Sequence, residues 1–160
     1  VFVFESRDRF DDMPLTVDPG GVWWRPEGSV YIAGGAEIED GEQAADPADF
    51  EPRWELFEND IWPVLATRVP AFEAIKMTRA WAGHYDYNTL DQNAVIGPHP
   101  EVENFIFANG FSGHGLQQAP AVGKALSELI VHGAYRTIDC TAFDYRRVAE
   151  GRAFRELNVI

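Results

Sequence analysis

The chain has 160 residues, 46% of them apolar, enough to bury one sizeable core and to set disorder aside. A formal charge of -13 repels nucleic acid and anionic membrane surfaces, so no nucleic-acid or membrane partner is expected. Cys140 is the single cysteine, which rules out an internal disulfide and a thiolate metal cluster and fits a reducing, cytoplasmic setting.

No apolar run approaches the roughly 20 residues that span a bilayer. The opening VFVFE reads as a strand, too short and without the basic flank of a signal peptide. A chain that starts on valine in mid-strand is expected to be a piece of a longer protein. Residues 21–35, GVWWRPEGSVYIAGG, place two β-branched and aromatic runs around the turn chemistry of Pro26, Glu27 and Gly28, the pattern of a hairpin. The run from Glu37 to Asp49 reads as a solvated acidic loop, with Asp46 and Pro47 suited to start a short helical turn.

From Pro52 onward Trp54, Phe57, Ile61, Val64 and Leu65 recur at helical spacing, and Pro63 predicts a kink or an end near Trp62. Residues 74–87 predict a strand running into a polar turn at 88–93. Short strands are expected at 94–96 and 104–108, the second, NFIFA, apolar enough to be buried on both faces. Beyond it Leu116, Ala119, Val122, Leu126, Leu129 and Ile130 form a helical stripe, with Gln118, Lys124 and Glu128 pointing elsewhere. Pro120 suits the helix's first turn and Gly133 its stop.

Between that strand and helix lies GFSGHGLQQAP, residues 110–120. A nucleophile elbow requires G-x-S-x-G, and here His114 replaces the final glycine. A dinucleotide fingerprint requires G-x-G-x-x-G, whereas Gly110, Gly113 and Gly115 are spaced G-x-x-G-x-G. Two readings stay open on the residues alone. One is a tight turn whose glycines accommodate positive φ with Ser112 as a cap; the other is a loop that brings backbone N–H groups and a helix N-terminus to an electron-rich ligand.

RAWAGHYDYNTLDQNAVIGPHP at 79–100 and NFIFANGFSGHGLQQAPAVGKALSELI at 104–130 resemble the C-terminal part of the D-amino-acid oxidase and sarcosine oxidase superfamily of FAD-dependent oxidoreductases. The resemblance implies an α+β fragment of a two-domain fold. Residues 1–93 would belong to a substrate-binding domain with an antiparallel sheet and a helix, and 94–135 would return to a Rossmann-like FAD domain as its last strand and helix. Residues 136–160 would form a C-terminal tail. It further implies that Gly110, Phe111, Ser112, Gly113, His114, Gly115, Leu116 and Gln117 lie against the flavin, mainly through backbone N–H groups. Tyr85 and Gln117 would sit on the substrate side.

Three departures from the sarcosine oxidase pattern shape the expected chemistry. Gly83 and His84 stand where those oxidases carry the cysteine that attaches FAD, so the cofactor is expected to be non-covalent. No lysine occupies the strand around Ile32, which favours a dehydrogenase over an oxidase. Gln117 replaces a carboxylate-binding lysine, which leaves the substrate open between an amine and an amino-acid-like molecule. The family's reaction would move a hydride from a C–H bond next to nitrogen to the flavin.

FAD binding is expected to require the missing N-terminal FAD-domain segment, and without it the chain would self-associate through exposed apolar faces. Animal members of the nearest subgroup are associated with respiratory complex I assembly, which makes a non-catalytic interaction module the alternative. His84, His99 and His132 lack metal-ligand spacing. Asp86 and Asp91 read either as general bases or as turn residues.

Overall fold

The structure is a computed structural model describing residues 1–35 and 46–157. It is a mixed α/β chain with antiparallel sheets, in two compact units, Val1–His84 and Tyr85 onward.

The first unit holds strands β1 (Phe2–Ser6), β2 (Thr16–Val17), β3 (Trp23–Glu27), β4 (Val30–Gly34) and β5 (Ile75–Ala80), ordered β2-β3-β4-β1-β5. β3 and β4 are the expected hairpin, with Trp23 opposite Gly34 and Glu27 opposite Val30. Gly28 takes φ +61° in the connecting turn, a conformation that carries no steric penalty without a Cβ. Strand alternation puts Phe2, Phe4, Trp24, Tyr31 and Ala33 on one face, all buried. Against them pack Phe57, Ile61, Leu65 and Phe72. The Phe4 and Phe72 rings stand 5.2 Å apart at 80°, an edge-to-face pair worth about 0.5–1.5 kcal/mol beyond its buried area.

The helix expected from Pro52 forms as α1 (Trp54–Leu56), a π-helical turn (Phe57–Ile61) and α2 (Trp62–Arg68). Pro63 has no N–H to continue an α ladder. The chain absorbs this just upstream, where the Trp62 N–H reaches the Phe57 carbonyl five residues back. The extra residue keeps Phe57, Ile61 and Leu65 on the buried side at 5%, 0% and 0% exposure.

Two expectations in this unit need correction. Asp46 and Pro47 start a turn rather than a helix: the Ala48 N–H donates to Asp46 Oδ1 and the Asp49 N–H to the Asp46 carbonyl, both at 2.9 Å. The rest of the acidic run, 37–45, lies outside the described residues. The strand expected over 74–87 ends at Ala80; Trp81 and Val1 exchange the last bonds to β1, the Trp81 N–H to the Val1 carbonyl at 3.0 Å and the Val1 amino group to the Trp81 carbonyl at 2.8 Å.

The second unit contains β6 (Val95–Pro98) paired antiparallel with β7 (Ile106–Asn109), then α3 (Gly115–His132) and α4 (Arg146–Ala149). Its core is Ala94, Ile96, Val122, Ala125 and Cys140, with Phe111, Leu126, Tyr135 and Phe143 against it. α3 ends as expected. Gly133 adopts φ +71° and its N–H returns to the Leu129 carbonyl at 2.8 Å. Glu128 caps the segment that follows, accepting the Arg136 and Thr137 N–H groups and the Thr137 hydroxyl, which holds its carboxyl down at about 2.

β7 is not buried on both faces: Ile106, Ala108 and Asn109 are exposed, since β6 is its only partner strand among the described residues. The stripe on α3 is also only partly covered. Val122 and Ala125 are buried, while Leu116 and Ile130 are 89% and 67% exposed. Residues 85–93, read from the sequence with the first domain, are hydrogen-bonded into this second unit. Part of the expected tail packs here too, through Cys140, Phe143 and Arg147.

Candidate functional site

The loop 110–115 is built by its neighbours as much as by its glycines. Gly110 at φ +73°, Ser112 at +48° and Gly113 at +94° turn the chain sharply between β7 and α3. Asp86 holds the entry, with Oδ2 accepting the Gly110 N–H at 2.6 Å and its carbonyl accepting the Ser112 N–H at 3.4 Å. Ser112 is 1% exposed; its Oγ accepts the Asn88 N–H at 3.0 Å and donates to the Gly110 carbonyl at 3.4 Å.

A nucleophile elbow presents its serine outward, and this one is turned in and occupied, so the hydrolase reading fails on geometry. Ser112→Ala should leave the Asn88 amide without its partner and cost about 1–3 kcal/mol, read as a lower urea midpoint. A loss below about 0.5 kcal/mol would mean that water replaces the bond fully.

Downstream, the His114 N–H bonds the Phe111 carbonyl at 2.9 Å and the Gln118 N–H bonds the His114 carbonyl at 3.2 Å. α3 starts between them. The amides of Gly115, Leu116 and Gln117 lie in its first turn, where no intrahelical acceptor exists, at the partially positive end of an 18-residue helix. Gly113, Leu116 and Gln117 are exposed beside them, and Phe111 anchors the loop to the second unit's core. Two buried side-chain nitrogens lack partners among the described residues, Trp24 Nε1 and His114 Nδ1.

Tyr85 is 60% exposed and lies outside β5, its ring against Gly113 so closely that a Cβ there would sit 3.0 Å from Cζ. The structure thus brings Tyr85 and the loop together. It removes Asp91 from the candidate bases, because its carboxylate is buried and ion-paired, while Asp86 is exposed and engages the Gly110 N–H through one oxygen. An open cavity of about 360 Å³ adjoins the loop, lined in part by Asp86, Asn88, Phe107, Gly110 and Tyr145.

Asp91 belongs to a buried ion pair that sequence reasoning missed. Arg147 Nε donates to Asp91 Oδ2 at 2.7 Å and Nη2 to Oδ1 at 3.1 Å, with both side chains at 3% exposure or less. Arg147 also donates to the carbonyls of Phe143, Asn93 and Ala94. Burial opposes the Asp91 charge, yet Arg147 and the Phe154 and Asn93 amides outweigh it and hold the carboxyl below its usual range. Elsewhere, burial first and Asp139 second push the Cys140 thiol up, away from reactivity. His99 is engaged through Nδ1, which accepts the Glu101 and Val102 N–H groups at 3.0 Å.

A strand, a glycine turn with left-handed residues and a helix whose first amides have no acceptor among the described residues make an arrangement suited to an electron-rich ligand at a helix N-terminus. Residues 1–129 match the family described as FAD dependent oxidoreductase, and the chain belongs to that family. It is 47% identical over 151 residues to FAD-dependent oxidoreductase domain-containing protein 1 of Xenopus laevis, covering 93% of this chain and 30% of that protein. Glycine oxidase of Bacillus licheniformis is 34% identical over 79 residues, 49% of this chain and 21% of the relative. Among solved structures, L-proline dehydrogenase from P. horikoshii superposes with a TM-score of 0.79 at 27% identity, covering 94% of this chain and 39% of that one. The chain therefore spans about 30% of the length of the Xenopus relative. No helix among the described residues is long and apolar enough to cross a membrane.

Proposed function

We propose that this chain is part of an FAD-dependent oxidoreductase that oxidises a C–H bond next to nitrogen in an amine or amino-acid-like substrate, as a dehydrogenase rather than an oxidase. The observation that carries it is the start of α3, where a glycine turn leaves three adjacent amides free at the positive end of the helix. In this reading the first unit's sheet belongs to the substrate-binding domain, and β7, the loop and α3 complete the FAD domain.

Bound FAD would supply the hydride acceptor. Gly115, Leu116 and Gln117 would hold it non-covalently through their amides, and the helix dipole would favour negative charge at the edge they meet. Gly113 and Gly115 keep that backbone bare, and the unpartnered His114 Nδ1 is a further group with bonding capacity to spare. Tyr85 and Gln117 would face substrate, Gln117 with a neutral amide. The substrate amine would react in its neutral form, since its lone pair assists departure of the hydride. Glycine oxidase and L-proline dehydrogenase, named for amino acids, support the substrate class.

Tight FAD binding would need sequence beyond this chain. Leu116, Ile130, Val131 and Phe105, at 89%, 67%, 71% and 49% exposure, would then be covered, and would drive self-association of the chain alone. The full-length protein should purify with releasable FAD that bleaches anaerobically with an amine or N-methyl amino acid, whereas the 160-residue chain should not quench FAD fluorescence. A full-length protein without FAD overturns the reading, and micromolar binding by the chain alone overturns the need for further sequence. Gln117, and the lysine-free strand around Ile32, where the resemblance implies lysines, favour a second reading as a non-catalytic interaction module. Retained FAD that no amine bleaches would select it.

A further inference from the structure

Asn88 opens the turn 88–93 in the second unit, and all four of its hydrogen-bonding groups are engaged. Its N–H donates to Ser112 Oγ at 3.0 Å, and its carbonyl accepts the Gln92 N–H at 2.8 Å. In the side chain, Oδ1 accepts the Leu90 N–H at 3.1 Å and Nδ2 donates to the Asn93 carbonyl at 2.7 Å. Three of these bonds shape the turn, and the fourth reaches the glycine loop. The turn also packs on the loop directly: a Cβ added to Gly110 would lie 3.4 Å from Asn88 Cβ and 3.8 Å from the Asn93 carbonyl oxygen.

The C-terminal segment grips the same turn from its other end. The Asn93 carbonyl that accepts Asn88 Nδ2 also accepts Arg147 Nη2 at 3.0 Å, so both lone pairs of one oxygen are used and the two donors meet there. The Asp91 carboxylate takes Arg147 together with the Phe154 N–H, the Asp91 carbonyl takes the Glu156 N–H at 2.9 Å, and Asn93 Nδ2 donates to the Phe154 carbonyl at 3.1 Å. Aromatic residues aside, the buried polar and charged residues among the described residues are Asp91, Asn93, Ser112 and Arg147. Asn88 joins them into one network that runs from α4 to the glycine loop.

We propose that Asn88 and Arg147 are positioning residues for the loop 110–115, Arg147 acting through the Asn93 carbonyl and Asn88 through Ser112, so that the C-terminal segment sets how well the first amides of α3 meet the cofactor. This deepens the proposed function, on which it rests. Neither residue has to touch the ligand. The reason lies in the backbone of Ser112, which holds φ +48° without being glycine. A side-chain-bearing residue keeps such a conformation only where its surroundings over-determine it. Here the Asn88 N–H fixes the Ser112 hydroxyl from one side, and Asp86 fixes the Gly110 and Ser112 amides from the other. Fully satisfied buried networks are rigid, and a lost member loosens its neighbours because no water replaces it cheaply. Releasing Asn88 frees the left-handed turn to relax, and the amides of Gly115, Leu116 and Gln117 follow it.

The test uses the full-length protein and two readouts, FAD affinity by fluorescence titration and, in the FAD-free protein, amide hydrogen exchange of a peptide covering 110–115. Asn88→Ala cuts the network at the turn. Asp91→Leu with Arg147→Met cuts it at α4 while leaving no orphaned charge, so its thermal midpoint should stay near that of wild type, and it carries the test alone if Asn88→Ala fails to fold. Each should weaken FAD binding about fivefold or more and speed exchange of the peptide about tenfold. The control is Glu128→Ala, which releases the 136–137 backbone in the same unit but lies outside the network, and it should stay within about twofold of wild type in both readouts. The proposal is overturned by unchanged affinity in the network variants, whether or not exchange quickens, and equally by a Glu128→Ala loss as large as theirs. A wild type that binds no FAD sinks the oxidoreductase reading instead, and exchange then decides by itself whether Asn88 and Arg147 hold the loop.

Discussion

Arg147→Met is expected to destabilise the protein by about 3–5 kcal/mol, measured as a fall in the urea or thermal midpoint, because it leaves a carboxylate buried without its counter-charge. Asp91 would keep only the Asn93 and Phe154 amides, and the carbonyls of Asn93, Ala94 and Phe143 would each lose a donor. For a domain of this size that corresponds to a drop of roughly 10 °C. The loss measures an orphaned charge rather than the worth of the pair, so the double variant Asp91→Leu with Arg147→Met should recover a large part of it. The pH dependence has a definite sign. The folded carboxyl lies below its ordinary 3.8, so its contribution is complete above about pH 4 and disappears as pH falls through the lowered folded value. The Arg147→Met protein should lack that acid-side fall. A destabilisation under about 1 kcal/mol would show that water reaches Asp91 and screens it as at a surface.

This ion pair also marks what the sequence could not reveal. Its partners are 56 residues apart, one in a polar turn and the other in a four-residue helix, and neither position carries a local pattern. The β3–β4 hairpin was legible because alternation and turn chemistry are local and agree, and the stop of α3 was legible because Gly133 is the residue that a left-handed end prefers. Apolar runs mislead where composition reports affinity for an interior without saying which side is covered. NFIFA reads as doubly buried, yet β7 has one partner strand and an open face among the described residues. Ser112 shows the same limit at the site. Its type and its glycine neighbours suggest a nucleophile, while its role is fixed by the Asn88 amide and by Asp86 on a different segment.

Gly113→Ala should weaken FAD retention in the full-length protein about tenfold or more, read by fluorescence titration of the released cofactor, if the loop holds the flavin as proposed. Two causes are separable. A Cβ at 113 would lie 3.0 and 3.1 Å from Cζ and Cε2 of Tyr85, and φ there is +94°, beyond even the left-handed well that alanine tolerates poorly. The ring is 60% exposed and can swing aside at little cost, whereas the backbone cannot relax without shifting the amides of Gly115, Leu116 and Gln117. The backbone penalty, about 1–3 kcal/mol, should therefore dominate. Adding Tyr85→Ala to Gly113→Ala should restore less than half of the lost affinity. Full rescue would assign the effect to the ring and leave the loop's left-handed turn without a part in cofactor binding. No effect from either change would remove the glycine loop from the FAD site.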